Sequence, residues 1–579
     1  MKNKFFIFVL MITVAFGTPL ASAAVTTDSR DTAGAEQERS RENLAREKAA
    51  QDIDKRLSQK DAVAQEEEQI KEQDAAGPTF VLKQVKFSGN EHFTDAELQP
   101  VVKEYIGKKV GLGTIKKMAL TVKSFYREKG YIAAYVYVAP QDINSGTVEL
   151  QVIEGKLGAV EIKGNKWFSE RTLRRMSRLH PGNVVYYNDL RSALSFFNKN
   201  RDLKVTSLLK PGREPKTTDV ELDVKDKFPV HLSTDVNNLG TRDTGKDRWG
   251  VGLTDTNLLG LMDELTTRFQ IGDGSVGTST RYTVPLHSSG TLLSLGYSYS
   301  HVHLQNAFKP LDIEGNAHTY SVDISQPVYS VNLPKDIFME WTLNTGFDIK
   351  SIENKVLNNI TGKDEFRILN VGATGEFTDK WGKLYLPNTF SFGFPSFLGS
   401  SNVHEPAASR AGTGGQFFVY RGSAIRYNRL PYDMLLTLRG SWQMTPDDLP
   451  SSEQFHLGGA FSVRGYSESA YLADYGGTFS TEVMVPSYFF PKDWKLPYSS
   501  EPLRQQIQGV AFFDMGAGGI RHPQPGEADS RTLAGMGGGI RIHLYDKVYG
   551  RFQWAGRTGA KIGSGSDSAF YYGISAEAF

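Results

Sequence analysis

Cysteine is absent from the 579 residues, which excludes a disulfide framework, a thiolate metal site and a cysteine nucleophile. An excess of either charge is missing too. Lys and Arg number 66 against 65 Asp and Glu, so charge gives no case for nucleic acid as a partner. Overall hydrophobicity is low, with a mean hydropathy of -0.36, which excludes a polytopic helical membrane protein. A transmembrane barrel is not excluded, because its strands alternate and average out as polar. Enzymatic signatures are lacking as well. His404-Glu405 opens an H-E-x-x-H whose second histidine is replaced by Ala408, and neither G-x-S-x-G nor G-x-x-x-x-G-K-[ST] occurs. The eleven histidines are scattered. No catalytic residue, metal site or cofactor is expected. Glycine, at 57, is plentiful, and 34 Phe and 25 Tyr far outnumber 7 Trp.

Lys2 and Lys4 precede an apolar run from Phe5 to Gly17 and the small-residue site Ala21-Ser22-Ala23. This is the pattern of an export signal cleaved after Ala23, and its run is too short to span a bilayer. A cysteine-free chain suits the oxidising periplasm beyond. From Glu36 to Gln73 the composition turns to Glu, Gln, Lys, Arg and Ala. Opposite charges four apart at Glu42/Arg46, Asp52/Arg56 and Glu67/Lys71 support a helix. That helix is polar nearly all round, so it is either a solvated linker or it sits inside something equally polar.

An internal repeat follows. Gly89-Asn90-Glu91-His92-Phe93-Thr94, with Leu98, recurs 75 positions on as Gly164-Asn165-Lys166-Trp167-Phe168-Ser169, with Leu173. In the first copy Phe80 to Phe87 reads as a strand, and Thr94 with Glu97 forms a capping box. Ile115, Met118, Ala119, Val122, Phe125 and Tyr126 lie at helical spacing up to a stop at Gly130. Tyr131 to Val138 and Thr147 to Ile153 read as two further strands. The second copy runs from Leu157 to about Asp226 and closes on alternating Val220, Leu222 and Val224. Two such β-α-α-β-β modules resemble POTRA (polypeptide-transport-associated) domains.

Beyond about Pro229 strict alternation takes over. Trp341, Leu343, Thr345, Phe347 and Ile349 share one face; Thr342, Asn344, Gly346, Asp348 and Lys350 share the other. Leu436, Leu438, Gly440, Trp442 and Met444 likewise oppose Thr437, Arg439, Ser441 and Gln443. Periodicity alone does not choose between a sandwich with its polar face in water and a barrel with its polar face in the lumen. An export signal followed by so long a β region favours a barrel, and its length accommodates on the order of sixteen strands. The chain ends in aromatic Phe579, out of phase with Phe570, Tyr572, Ile574, Ala576 and Ala578.

The most specific motif is Val463-Arg464-Gly465-Tyr466, after Gly458-Gly459, and a second is Phe512-Phe513-Asp514-Met515-Gly516. In this order, behind two POTRA-like repeats, they resemble the inward-folded loop and barrel-wall motif of two-partner secretion B-component transporters, the haemolysin activator and filamentous haemagglutinin transporter family. Asn198 to Asp202 and the join at Gly146 to Gly155 are similar to that family too, although Arg201 stands where it has proline.

The resemblance implies a signal peptide over 1–23, a polar helix and linker acting as lumen plug over 24–78, POTRA domains over 79–155 and 156–228, and a transmembrane antiparallel β-barrel of about 16 strands over 229–579, with an inward-folded loop near 445–475. It implies an outer-membrane protein with periplasmic N-terminal domains that secretes an unfolded partner exoprotein (an adhesin, cytolysin or contact-dependent toxin) without nucleotide. Barrel-assembly machinery and periplasmic chaperones are implied for biogenesis, and outer-membrane lipid surrounds the barrel. The alternative is insertion of other barrel proteins by the related assembly machinery, which usually carries more POTRA repeats. Arg464 is implied to pair with Asp514, with Val463, Gly465, Tyr466, Phe512 and Gly516 completing the two motifs. Client capture is expected at an unprotected POTRA edge strand and its neighbouring helix: Tyr131, Ala133, Ala134, Tyr135, Val136, Tyr137 and Val138, with Ile115, Met118, Val122 and Phe125.

Overall fold

The computed structural model describes residues 79–141, 145–333, 337–499, 501–545, 547–559, 561–562 and 567–578. The expected signal peptide, the 24–78 segment and Phe579 lie outside them.

The first module comprises β1 (Phe80–Val81), β2 (Gln84–Ser88), α1 (Asp95–Val102), β3 (Lys109–Val110), α2 (Leu112–Glu128), β4 (Tyr135–Tyr137) and β5 (Thr147–Ile153). Thr94 and Glu97 close the capping box that starts α1. The sheet order is β2-β5-β4, so β4 is an edge. Ile115, Met118, Ala119, Val122 and Tyr126 turn one stripe of α2 into the core, against Val85, Val136, Val148 and Leu150. Ile115, Met118 and Val122, once buried, each contribute roughly 1.5–3 kcal/mol. The second module repeats the plan with β6 (Lys156–Lys163), α3 (Glu170–Met176), α4 (Tyr187–Asn198), β7 (Leu203–Pro211) and β8 (Thr217–Asp226), in sheet order β6-β8-β7.

Two expectations for the first module are corrected. The strand expected over Phe80 to Phe87 breaks between β1 and β2, where the Leu82 N–H bonds Lys108 O and the Lys83 N–H bonds Gly146 O. The strand expected over Tyr131 to Val138 is confined to Tyr135–Tyr137. The preceding residues join the two modules instead. Tyr131 bridges Tyr186, their rings 4.7 Å apart; Ile132 and Ala133 pack on the second module's core, and Val184 and Tyr186 pack on the first.

Sixteen antiparallel strands then close a barrel. In chain order they begin β9 (Val230–Asn237), β10 (Arg248–Asp255), β11 (Glu264–Gly272), β12 (Ser275–Pro285), β13 (Leu292–His303), β14 (Ile313–Leu333), β15 (Ile337–Val356) and β16 (Asn359–Asp379). There follow β17 (Gly382–Gly393), β18 (Phe417–Arg429) and β19 (Leu435–Met444), after which β20 (Phe455–Leu457) and β21 (Tyr471–Ala473) pair outside the barrel sheet. The wall is completed by β22 (Tyr475–Pro486), a short α5 (Leu503–Gln506), β23 (Ile507–Gly519), β24 (Ser530–Leu544), β25 (Val548–Arg557) and β26 (Ser568–Ala578), which pairs with β9. Alternation sets the faces. Leu343, Phe479, Met515, Ile540 and Phe570 are exposed on the outside, while Asp348, Lys350, Thr437, Gln443 and Tyr571 are buried on the inside.

Strands β14 to β16 are about twice as long as the 9–11 residues a crossing takes. Their far ends, with β13 and β18, turn apolar side chains inward: Val302, Ala317, Ile352, Phe366, Ile368, Phe417 and Val419 form a core capped by Leu449.

The second module is docked on the barrel rim formed by the turns after β10 and β12. The Thr172 hydroxyl donates to Gly260 O at 2.8 Å, Lys199 pairs with Glu340 at 2.6 Å, and Arg178 donates to Ser288 O. At the seam, His231 of β9 meets Asp202 at 2.7 Å and Arg201 pairs with Glu577 of β26.

Candidate functional site

The segment between β19 and β22 folds into the barrel as the β20–β21 hairpin with residues 458–470 at its tip. Its base is held by charge. Glu453, fully buried, accepts from Lys350 of β15 at 2.7 Å and from Arg421 of β18 at 2.9 Å. Buried Asp474 accepts from Arg410 at 3.1 Å.

At the tip, Arg464 reaches the wall. Its Nε donates to Asp514 Oδ2 at 2.6 Å and its Nη2 to Oδ1 at 2.8 Å, a bidentate fork, while its own backbone N–H donates to Oδ2 at 3.1 Å. The remaining Nη1 donates to Glu482 of β22 at 2.8 Å. The guanidinium lies over the Phe512 ring, 3.3 Å from its centre. Ser480 donates to Asp514 at 2.7 Å, and Arg541 pairs with the other oxygen of Glu482. Asp514 has no solvent exposure and Arg464 and Glu482 are buried with it, while Arg541 joins this ionic cluster from its partly exposed side.

The remaining motif residues have physical reasons. Val463 and Tyr466 are buried with Leu457 and Leu533. Gly465 has φ +98°, a left-handed conformation that favours glycine. Its N–H donates to the Tyr571 hydroxyl at 3.0 Å, and that hydroxyl donates to Tyr466 O at 2.8 Å. At Gly516 a Cβ would come within 3.0 Å of Leu457, Thr478 and Val463. The wall therefore needs glycine where the loop lies against it. Sequence reasoning named Val463, Arg464, Gly465, Tyr466, Phe512, Asp514 and Gly516, and the structure brings all seven together. It missed Glu482, Tyr571 and the Lys350–Glu453–Arg421 contact. Alternation in phase with Ser480 was the available signal for Glu482.

The expected client groove fares differently. Ile115, Met118, Val122, Tyr131, Ala134 and Val136 are buried in the first module's core, because α2 and β4 pack face to face and Tyr131 is covered by Tyr186. Phe125 packs on the Phe93 ring, and Ala133 lies at the junction with the second module. What stays accessible is the β4 edge itself, with Tyr135 half exposed, Tyr137 and Val138 partly so, and Lys123 of α2 over the Tyr135 ring at 5.4 Å. Behind it, the Tyr126 hydroxyl donates to Glu154 at 3.0 Å. Burial, followed by that carboxylate, pushes the phenol above its ordinary 10.0.

The family described as haemolysin secretion/activation protein ShlB/FhaC/HecB matches residues 216–542, and the ShlB-type POTRA domain matches residues 80–155. The heme/hemopexin transporter protein HuxB of Haemophilus influenzae (strain 86-028NP) is 23% identical over 462 residues, which cover 76% of this chain and 80% of that one. The outer membrane transporter CdiB of Dickeya dadantii is 24% identical over 478 residues, 80% of each. The solved structure of CdiB from Escherichia coli superposes with a TM-score of 0.74 at 20% identity, over 96% of this chain and all of that one, a likeness of fold.

Proposed function

The chain belongs to the haemolysin secretion/activation protein family ShlB/FhaC/HecB, and from that premise we infer how it works as an outer-membrane transporter of two-partner secretion. An unfolded exoprotein is captured in the periplasm by the POTRA modules and passes through the barrel lumen. No nucleotide drives it; the chain acts as a transporter and not as an enzyme. The observation that carries this reading is the lumen loop, held against the inner wall by the Arg464 fork on Asp514 and by its contact with Glu482. A passive pore gains nothing from a buried ionic latch, whereas a gated path needs an element with a defined resting position. Extended client segments add to the β4 edge at Tyr135–Tyr137 through main-chain bonds. The helix expected over 36–73, polar nearly all round, is assigned the role of lumen plug. Barrel-assembly machinery and periplasmic chaperones deliver the chain to the membrane.

Deletion of the chain should leave its exoprotein in the periplasm, with outer-membrane protein levels unchanged. A general loss of barrel proteins on deletion would point to assembly instead.

A further inference from the structure

Periplasmic turns of outer-membrane barrels are short, and most of those here are: 256–263, 286–291, 380–381 and 430–434. The connection between β22 and β23, described over residues 487–499 and 501–506, is the exception. It is a folded lobe. The Leu503 N–H donates to Trp494 O at 2.7 Å, Lys495 bridges Pro502, and the Phe490 and Trp494 rings stack 6.1 Å apart. Yet it buries few of its large side chains. Phe489 is 91% exposed, Trp494 59% and Tyr498 103%, and Tyr432 on the neighbouring turn is 80% exposed. Nothing in the transport reading uses these aromatics.

We propose that this lobe is a membrane-surface anchor whose aromatic side chains lie in the headgroup region of the phospholipid leaflet facing the periplasm. Continuity is the first ground. The outward row of β22, Phe479, Thr481, Val483 and Val485, and that of β23, Met515, Phe513, Ala511 and Ile507, form the lipid-facing wall. Past the ends of these strands the chain continues directly into Tyr488 and Phe489. Direction is the second. The lobe is strapped sideways to the β18–β19 turn, with the Tyr488 hydroxyl donating to Tyr432 O and Arg504 pairing with Asp433 at 2.9 Å. It therefore follows the rim and does not cross the mouth. Composition is the third. Trp, Tyr and Phe interleaved with exposed Lys492 and Lys495 suit an interface of acyl chains below phosphate headgroups.

Placement suggests a purpose. The second module contacts the rim at the turns after β10 and β12, at β15 and at the β26–β9 seam. In the barrel order, β22 lies half-way round from β12. The anchor thus sits opposite the docked module and resists tilting of the barrel when a client pulls on that module.

The absence of cysteine makes the test direct. Tyr498→Cys and, separately, Phe489→Cys are labelled with an environment-sensitive NBD probe, and the full chain is reconstituted into phosphatidylethanolamine vesicles containing a minority of phosphatidylglycerol. Lys204→Cys, exposed on the second module, is the control. Both lobe positions should show blue-shifted emission and quenching by spin-labelled phospholipid several-fold above the control. Control-like emission at both positions overturns the proposal. So does shielding that appears only on adding unfolded exoprotein, which would make the lobe a client site, or only at high protein density, which would make it a contact between copies.

Discussion

Replacing Arg464 by alanine removes the fork on Asp514 and the contact with Glu482 together. Glu482 keeps Arg541, so the larger cost falls on Asp514, which is left fully buried with the Ser480 hydroxyl as its remaining side-chain donor. Breaking one side of a buried pair costs roughly 3–5 kcal/mol, against roughly 0–1 kcal/mol for an exposed bridge. At about 1.4 kcal/mol per tenfold, docking of the loop tip weakens by a factor of roughly a hundred to several thousand. The base stays, because Glu453 keeps Lys350 and Arg421. The perturbation should therefore free residues 458–470 without unfolding the wall. Val463→Cys, buried at the tip in a cysteine-free chain, reports this directly: a membrane-impermeant maleimide should label it slowly in the parent and at least about a hundredfold faster with Arg464→Ala. Secretion should fall strongly at unchanged outer-membrane levels. Asp514→Ala should behave alike, and the double variant should be little worse than either single one, since the same contact is removed. Additive defects, or parental labelling in both single variants, would refute the latch.

At the first module's edge, Tyr135→Cys should form a disulfide with a cysteine-bearing exoprotein stalled in transit, while Lys204→Cys should not; equal yields would remove β4 as the capture strand. Deleting 36–73 should raise single-channel conductance in planar bilayers with secretion at least partly retained, whereas unchanged conductance would return that segment to the role of linker. Because the Tyr126 phenol is raised above 10.0 in the folded module, the stability it contributes is complete below pH 10 and is lost as the pH rises beyond it. Protease resistance of the first module in the detergent-solubilised chain should fall in that window, and Tyr126→Phe should flatten the fall; an identical profile in the variant would assign the loss to another group.

The strands were legible because alternation over β15 and β19 is strict; that they close a barrel was read from the export signal, the length of the β region and the family resemblance. The Arg464 and Asp514 motifs were legible through their resemblance to the two-partner secretion family, each being short and contiguous in sequence. Three features were hidden for physical reasons. Tyr131 to Ala133 read as open strand because what covers them, Tyr186 55 positions on for Tyr131 and the second module's core for Ile132 and Ala133, lies in the next module. Ile352 and Phe366 face the lumen although apolar, because β15 and β16 run on past the membrane and build a core there, where alternation no longer separates lipid from water. Glu482 stands as a lone acid between Thr481 and Val483, and its role appears only when three strands and a loop converge on it.

The central claim is that this chain alone moves an unfolded partner through its own lumen. The direct measurement uses the purified chain in vesicles with its periplasmic modules outward, the unfolded exoprotein added outside, no nucleotide present, and external protease to score passage. Full-length exoprotein should become protease-protected inside the vesicles, and Arg464→Ala at equal density should abolish most of that protection. Protection that requires nucleotide or a second protein, or that persists in vesicles lacking the chain, would contradict the account.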